Sequence, residues 1–173
     1  MADVTLASRV LAASSLTGTF VLRSGRTADR YFDKYRFESD PLLLAAIVEE
    51  LVPLVPPGTG GLAGLELGGV PIATMLSAKT GLPTFFVRKQ AKKYGTEKIC
   101  EGGDIRGVRL LIVEDVVTTG GQILLSAQDL RGEGAVVEHA LCVIDREAGG
   151  VDRVGAEGIA LRSLFKMSDL ESP

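Results

Sequence analysis

The chain has 173 residues, 46% hydrophobic and 24% charged, a balance that suits one soluble globular domain with one sizeable core. A net charge of −3 and a pI near 5.3 exclude a general nucleic-acid surface, which needs an excess of Lys and Arg. Apolar runs such as Leu42–Val48 fall far short of the ~20 residues that span a bilayer. Met1-Ala-Asp-Val-Thr5 is acidic where an export signal would be positive. Cys100, Cys142 and His139 are too few for a disulfide framework or a structural zinc site, so a cytoplasmic protein with reduced thiols is expected.

No repeat or long linker divides the chain, and one domain over 1–173 is expected. Ala2–Ser14 has Val4, Ala7, Leu11 and Ala12 near helical spacing. Gly18–Leu22 and Arg30–Tyr35 are short β-prone runs around a turn at Arg23-Ser-Gly-Arg-Thr27. Ser39-Asp-Pro41 opens a helix with a capping side chain and a proline in the first turn, and Pro53, Pro56, Pro57 and Gly58 break it after Leu51. From there the chain alternates. Leu62–Leu67 reads as a strand, Gly69–Thr80 as a helix and Pro83–Val87 as a strand, followed by a polar connection, Arg88–Asp104. Arg109–Val113 is a strand, Gly121–Arg131 a helix and Val136–Ile144 a strand. This order implies an α/β fold with right-handed βαβ units and a central parallel sheet flanked by helices. Ligands in such folds bind beyond the carboxyl ends of the strands, here after Val87, Val113 and Ile144.

The strand Leu110–Val113 runs into Glu114-Asp115-Val116-Val117-Thr118-Thr119-Gly120-Gly121-Gln122. Two adjacent carboxylates match the vicinal hydroxyls of a ribose, because ionised carboxylates accept several hydrogen bonds. They are expected at the rim of the sheet, outside its core. Thr118–Gly121 is a small-residue turn into a helix N-terminus, where exposed N–H groups and the helix dipole favour a phosphate. Together they describe a ribose 5-phosphate cradle, with a capped helix after an acidic turn as the plainer alternative. No Walker A loop is present. Arg88, Lys89, Lys92, Lys93 and Lys98 form a basic run offset only by Glu97, which on charge alone reads first as a solvated loop.

The strand, acidic pair and Thr-Thr-Gly-Gly turn are similar to the phosphoribosyl pyrophosphate (PRPP) binding signature of the type I phosphoribosyltransferases. Three further segments resemble the orotate branch of that family. Phe20-Val-Leu-Arg-Ser-Gly-Arg26 with Tyr31-Phe-Asp-Lys34 looks like its N-terminal base-binding segment. Arg88-Lys-Gln-Ala-Lys-Lys-Tyr-Gly95 looks like its mobile catalytic loop, and Asp145-Arg-Glu-x-Gly149 like the segment that presents an arginine to the orotate carboxylate. The resemblance implies the type I fold, with residues 1–40 as a small base-binding hood. It also implies transfer of ribose 5-phosphate from PRPP to orotate, giving orotidine 5'-monophosphate and pyrophosphate in pyrimidine biosynthesis.

Residue by residue, PRPP is expected on Arg88, Lys89 and Lys92 and on Glu114, Asp115, Val116, Val117, Thr118, Thr119, Gly120, Gly121 and Gln122. Orotate is expected on Thr118, Arg146, Arg23, Tyr31 and Phe32. Arg146 can meet its carboxylate with a planar fork. Displacement at the anomeric carbon passes through an oxocarbenium-like state. Lys92, Lys89 and Arg88, with Mg²⁺ on the diphosphate, are expected to stabilise the departing charge, while Asp115 completes the catalytic set. Mg²⁺ is expected mainly through PRPP and water. A homodimer in which each loop reaches the neighbouring site is also implied.

Other readings stay open at single residues. Arg146 also suits a surface ion pair with Asp145 or Glu147, and Phe32 suits core packing. Leu67-Gly-Gly69 lies where some relatives carry Lys, so a pyrophosphate contact there comes from backbone or is absent. Tyr94 stands where others have His, and Lys93 adjoins the motif lysine. A transferase for a neutral base, or a PRPP-binding regulator on the same fold, are the competing functions. Arg146 argues against the first, and the acidic chain with its retained loop against the second.

Overall fold

The computed structural model describes residues 5–21, 25–89 and 99–171. Helix α1 (Leu6–Ser14) starts where the Thr5 side chain accepts the Ser8 N–H, and the part of the predicted helix over residues 2–4 lies outside the described residues. Strands β1 (Ser15–Val21) and β2 (Thr27–Phe32) form a two-stranded antiparallel sheet of their own. The predicted strand Arg30–Tyr35 stops at Phe32, because Asp33 accepts the Tyr35 N–H and turns the chain into the short helix α2 (Tyr35–Ser39). Asp40 then caps α3 (Pro41–Leu51) by accepting from Leu42 and Leu43, with Pro41 in the first turn as expected. A 3-10 turn, Val52–Leu54, ends that helix.

The main sheet contains β3 (Gly61–Leu65), β4 (Thr84–Val87), β5 (Cys100–Glu101), β6 (Arg109–Val117), β7 (Val136–Asp145) and β8 (Ala160–Lys166), in the order β5-β4-β3-β6-β7-β8. All neighbours are parallel except β5, which pairs antiparallel with β4. The parallel α/β class is therefore as predicted. The chain leaves β3 toward β4 in one direction and continues from β6 to β8 in the other. The β3–β6 junction is thus the switch point at which such sheets bind ligands.

Period-two alternation drives the layering. Leu110 and Ile112 face one core, while Leu111 and Val113 face the other. The second core is filled by α1, α3 and α4 (Gly69–Thr80) through Val10, Leu44, Ile47, Ile72 and Leu76. The first takes Ile123, Ala127 and Leu130 of α5 (Gly121–Gly132) and Val154 of α6 (Gly150–Ala156). Val10 and Phe37 are fully buried in the same core as α3 and α4, so the N-terminal segment packs into the body at both points.

Three expectations are corrected. The strand predicted to end at Val113 continues to Val117, because β7 runs beside it as far as Asp145 opposite Val117 and supplies the ladder. The Arg88–Asp104 connection contains the edge strand β5. The chain beyond Ile144 adds α6, β8 and α7 (Met167–Glu171). Among the described residues no helix is long and apolar enough to cross a membrane.

Candidate active site

β6 pairs with β3 only as far as Gly64 opposite Val113. Glu114–Val117 therefore extend past the end of β3, and the turn into α4 packs across them. Space there is filled: a Cβ at Gly69 would lie 2.1 Å from the Val113 carbonyl, and one at Gly68 would lie 1.5 Å from Asp115 Oδ2. The Glu66–Leu67 peptide that precedes this turn is cis. Gly68 has ordinary helical φ, so its glycine is required by space and not by backbone conformation.

Asp115 is fully buried, which corrects the expectation that both acids stand at the rim. Burying a carboxylate is costly unless it is paired. Its partners come from the N-terminal segment. Lys34 Nζ lies 2.5 Å from Asp115 Oδ2, and Glu38 of α2 faces the same oxygen across Gly68. Asp115 Oδ1 accepts the Val116 N–H at 2.5 Å, and Glu114 Oε2 accepts the Asp115 N–H at 3.1 Å. Burial, followed by the neighbouring Asp115, pushes the half-buried Glu114 carboxyl up to about 8. Burial works against the Lys34 charge, but contact with Asp115 outweighs it and holds the ammonium above its ordinary value. Lys34 and Glu38 were not singled out from sequence. The only signal was the place of Lys34 at the end of Tyr31-Phe-Asp-Lys34, within the run read as a strand.

The strand then opens into the expected turn. Thr118 and Thr119 are exposed, Gly120 adopts left-handed φ of 70°, and α5 begins at Gly121. A Cβ at Gly120 would meet Val154 at 2.4 Å, so α6 presses the turn into shape. Glu114 and Val116–Ile123 line a cavity of about 120 Å³ at the head of α5, the place predicted for a phosphate. The Gln122 side chain instead donates along its own helix to Ser126. A larger cavity of about 610 Å³ runs beside α5 to Arg131 and Arg153, and of the predicted residues it takes only Gly121.

Arg146 follows β7 directly, and its N–H donates to the Val117 carbonyl at 2.8 Å. Asp145, buried at the strand end, accepts the Glu147 N–H at 3.0 Å, and Glu147 takes φ of 56°. The side chain of Arg146 is exposed. Among the described residues it has no ion pair with Asp145 or Glu147. Arg146 lines a cavity of about 470 Å³ together with Arg30, Tyr31 and Phe32 from β2 and Met167 and Glu171 from α7. Tyr31 stacks on Phe20 with ring centroids 5.5 Å apart, and Phe32 also packs against the core.

Arg88 leaves the end of β4, where its N–H donates to Ile99 and its Nε lies 3.6 Å from Glu101 of β5. Lys89 is exposed beside it. The expectations for Arg23, Lys92, Lys93, Tyr94 and Lys98 lie outside the described residues. The carboxyl ends of β4, β3, β6 and β7 thus bring Arg88, Gly68, the acidic run and Arg146 to one edge of the sheet.

Residues 61–156 match the model of the phosphoribosyl transferase domain. The chain is 48% identical over 170 residues to the orotate phosphoribosyltransferase of Nocardioides sp. (strain ATCC BAA-499 / JS614), covering 98% of this chain and 95% of that one. The Mycobacterium tuberculosis H37Rv orotate phosphoribosyltransferase in complex with Fe(III) dicitrate superposes with a TM-score of 0.87 at 34% identity, over 96% of this chain and 97% of that one. The same enzyme in complex with PRPP gives a TM-score of 0.82 at 30% identity, again over 96% and 97%. A domain match over more than half of the chain, and close relatives that align along nearly all of it, place this protein in the orotate phosphoribosyltransferase family.

Proposed function

We propose that the chain transfers the ribose 5-phosphate group of PRPP to orotate, yielding orotidine 5'-monophosphate and pyrophosphate. The observation that carries this reading is the acidic run of β6 opening into the α5 N-terminus at the β3–β6 switch point, with the Arg146 cleft on the adjoining strand end. Glu114 receives the ribose hydroxyls, and the Thr118–Gly121 amides receive the 5-phosphate. Orotate lies against Tyr31 and Phe32 with its carboxylate on Arg146 and with Thr118 and Arg23 as further contacts.

In the reaction a ring nitrogen of orotate bonds to the anomeric carbon as the carbon–oxygen bond to diphosphate breaks; the electron pair leaves with the diphosphate, and the proton of that nitrogen passes to the diphosphate or to solvent. Arg88, Lys89 and Lys92 gain most as that charge develops, which makes their attraction stronger in the transition state than before it. Asp115, ion-paired to Lys34, holds the acidic run in place.

Magnesium fits this reading as an ion carried by the diphosphate, since it favours oxygen ligands and keeps several waters. Among the described residues no group of three or more His, Cys, Asp or Glu side chains is arranged to hold a metal. Bound to the diphosphate, such an ion would supply charge neutralisation beside that of Arg88, Lys89 and Lys92. A cytoplasmic homodimer, with each catalytic loop serving the neighbouring subunit, completes the proposal.

The test is an ultraviolet assay of orotate loss with PRPP and Mg²⁺, run beside adenine, hypoxanthine and uracil. Orotate should be consumed well ahead of the neutral bases, because a neutral base leaves Arg146 without its partner. Equal turnover of uracil and orotate overturns the assignment.

A further inference from the structure

Glu38 is a buried acid to which the reaction assigns no task. It is 9% exposed, and its Oε1 has no hydrogen-bond partner among the described residues. Asp115 Oδ2 likewise has none, its contact with Lys34 being a close ion pair and not an aligned hydrogen bond. Both oxygens converge on Gly68, where a Cβ would lie 1.5 Å from Asp115 Oδ2 and 2.8 Å from Glu38 Oε1. Two ionised carboxylates facing each other in a buried space repel, and one lysine offsets only one of them. A single proton between them removes the excess charge and turns one acceptor into a donor.

We propose that Glu38 is a positioning residue that shares a proton with Asp115, and so holds the Gly68 turn and the acidic run of β6 in the geometry that receives PRPP. The inference rests on the reading that PRPP binds at this strand end. Asp115 Oδ1 accepts the Val116 N–H and the Asp115 backbone N–H donates to Glu114 Oε2, so a displacement of the strand at Asp115 disturbs both contacts. The charged groups facing Glu38 are Asp115 and Glu114 from β6 and Lys34 from the start of α2. Burial first, and Asp115 second, push the Glu38 carboxyl up to about 9, which agrees with a retained proton at neutral pH.

The experiment compares wild type, Glu38→Ala and Glu38→Gln in PRPP binding by calorimetry with Mg²⁺ present, in kcat and KM, and in infrared spectra of the unliganded proteins. Gln keeps a donor for Asp115 without an ionisable proton, whereas Ala leaves Asp115 Oδ2 facing space. Glu38→Ala should weaken PRPP by about tenfold or more, with a smaller change in kcat. Glu38→Gln should stay within about threefold of wild type. PRPP affinity of wild type should fall above about pH 9, and this fall should be absent in Gln. The protonated-carboxyl band of wild type should be diminished in Gln, the remainder coming from Glu114, whose carboxyl is also raised, to about 8. The proposal is overturned if Gln is as impaired as Ala, if Ala binds PRPP as wild type does, or if the band is undiminished in Gln. If Ala does not fold, the band and the pH limb in Gln decide. The band is read without substrate, so it stands apart from a failure of wild type to use orotate.

Discussion

The Arg146 N–H donates to the Val117 carbonyl at 2.8 Å, so the residue proposed to bind the base is fastened to the strand that leads into the phosphate turn. Its side chain projects from a fixed backbone into the cleft with Tyr31 and Phe32. Arg146→Ala should therefore raise the KM for orotate roughly 10–100-fold, the size of a lost hydrogen-bonded charge contact, and change PRPP affinity little. Steady-state kinetics with each substrate varied in turn checks this. An equal loss for both substrates would assign Arg146 to the turn and not to the base.

The Lys34–Asp115 ion pair joins the N-terminal segment to the sheet, and Lys34 keeps a third of its side-chain surface exposed. Lys34→Met should cost about 1–3 kcal/mol, below the range for a fully buried pair because solvent screens one end. Asp115→Asn should also lower stability and weaken PRPP binding. A double-mutant cycle in urea should show coupling, with the double variant less destabilised than the two single changes imply. Strict additivity would show that the pair contributes nothing to folding.

Glu114 and Glu38 have folded-state values raised to about 8 and about 9, above the ordinary 4.5. The folded protein therefore binds more protons than the unfolded chain between these limits. Their contribution to stability is fully present below about pH 4.5 and is lost as pH rises through 8 and 9. Urea midpoints measured from pH 5 to pH 9.5 should decline, and the decline should be shallower in Glu38→Gln and Glu114→Gln. A midpoint that rises over that window would contradict the assignment.

Lys92→Ala should lower kcat by roughly 10²-fold or more with a smaller effect on PRPP affinity, whereas Lys98→Ala should do little. Mixing Lys92→Ala with Asp115→Asn chains tests whether the loop serves a neighbour. Some heterodimers would then keep both residues at one site, and activity should return after subunit exchange. Verified heterodimers without activity would confine the loop to its own chain.

The parallel sheet and the α5 turn were legible in the sequence because each is a local pattern, apolar runs at strand length and small residues before a helix, while Arg146 was picked out by the resemblance of Asp145-Arg-Glu-x-Gly149 to a family segment. What was not legible depends on distant chain. Glu114 and Asp115 read as lying beyond the strand end at Val113. They continue it because β7 supplies the ladder and Lys34 and Glu38, far upstream, supply the partners. β5 is two residues long and has no period to detect. β8 alternates only weakly, with half-buried positions along an edge, and was not read as a strand.

The tight turn after β3 has a consequence for redesign of this enzyme. Position 68 admits no side chain without striking Asp115, and position 69 none without striking the Val113 carbonyl. Leu67, next to them, is 60% exposed. A new charge toward the diphosphate can therefore be installed at 67 and nowhere in the two residues after it. Leu67→Lys should fold normally and tighten pyrophosphate in an equilibrium titration, while Gly68→Ala should lose at least ~1–3 kcal/mol of stability. A stable Gly68→Ala protein with unchanged affinity would show that the turn can yield. The same packing that leaves this turn without a lysine leaves one position at its edge where a lysine can be added.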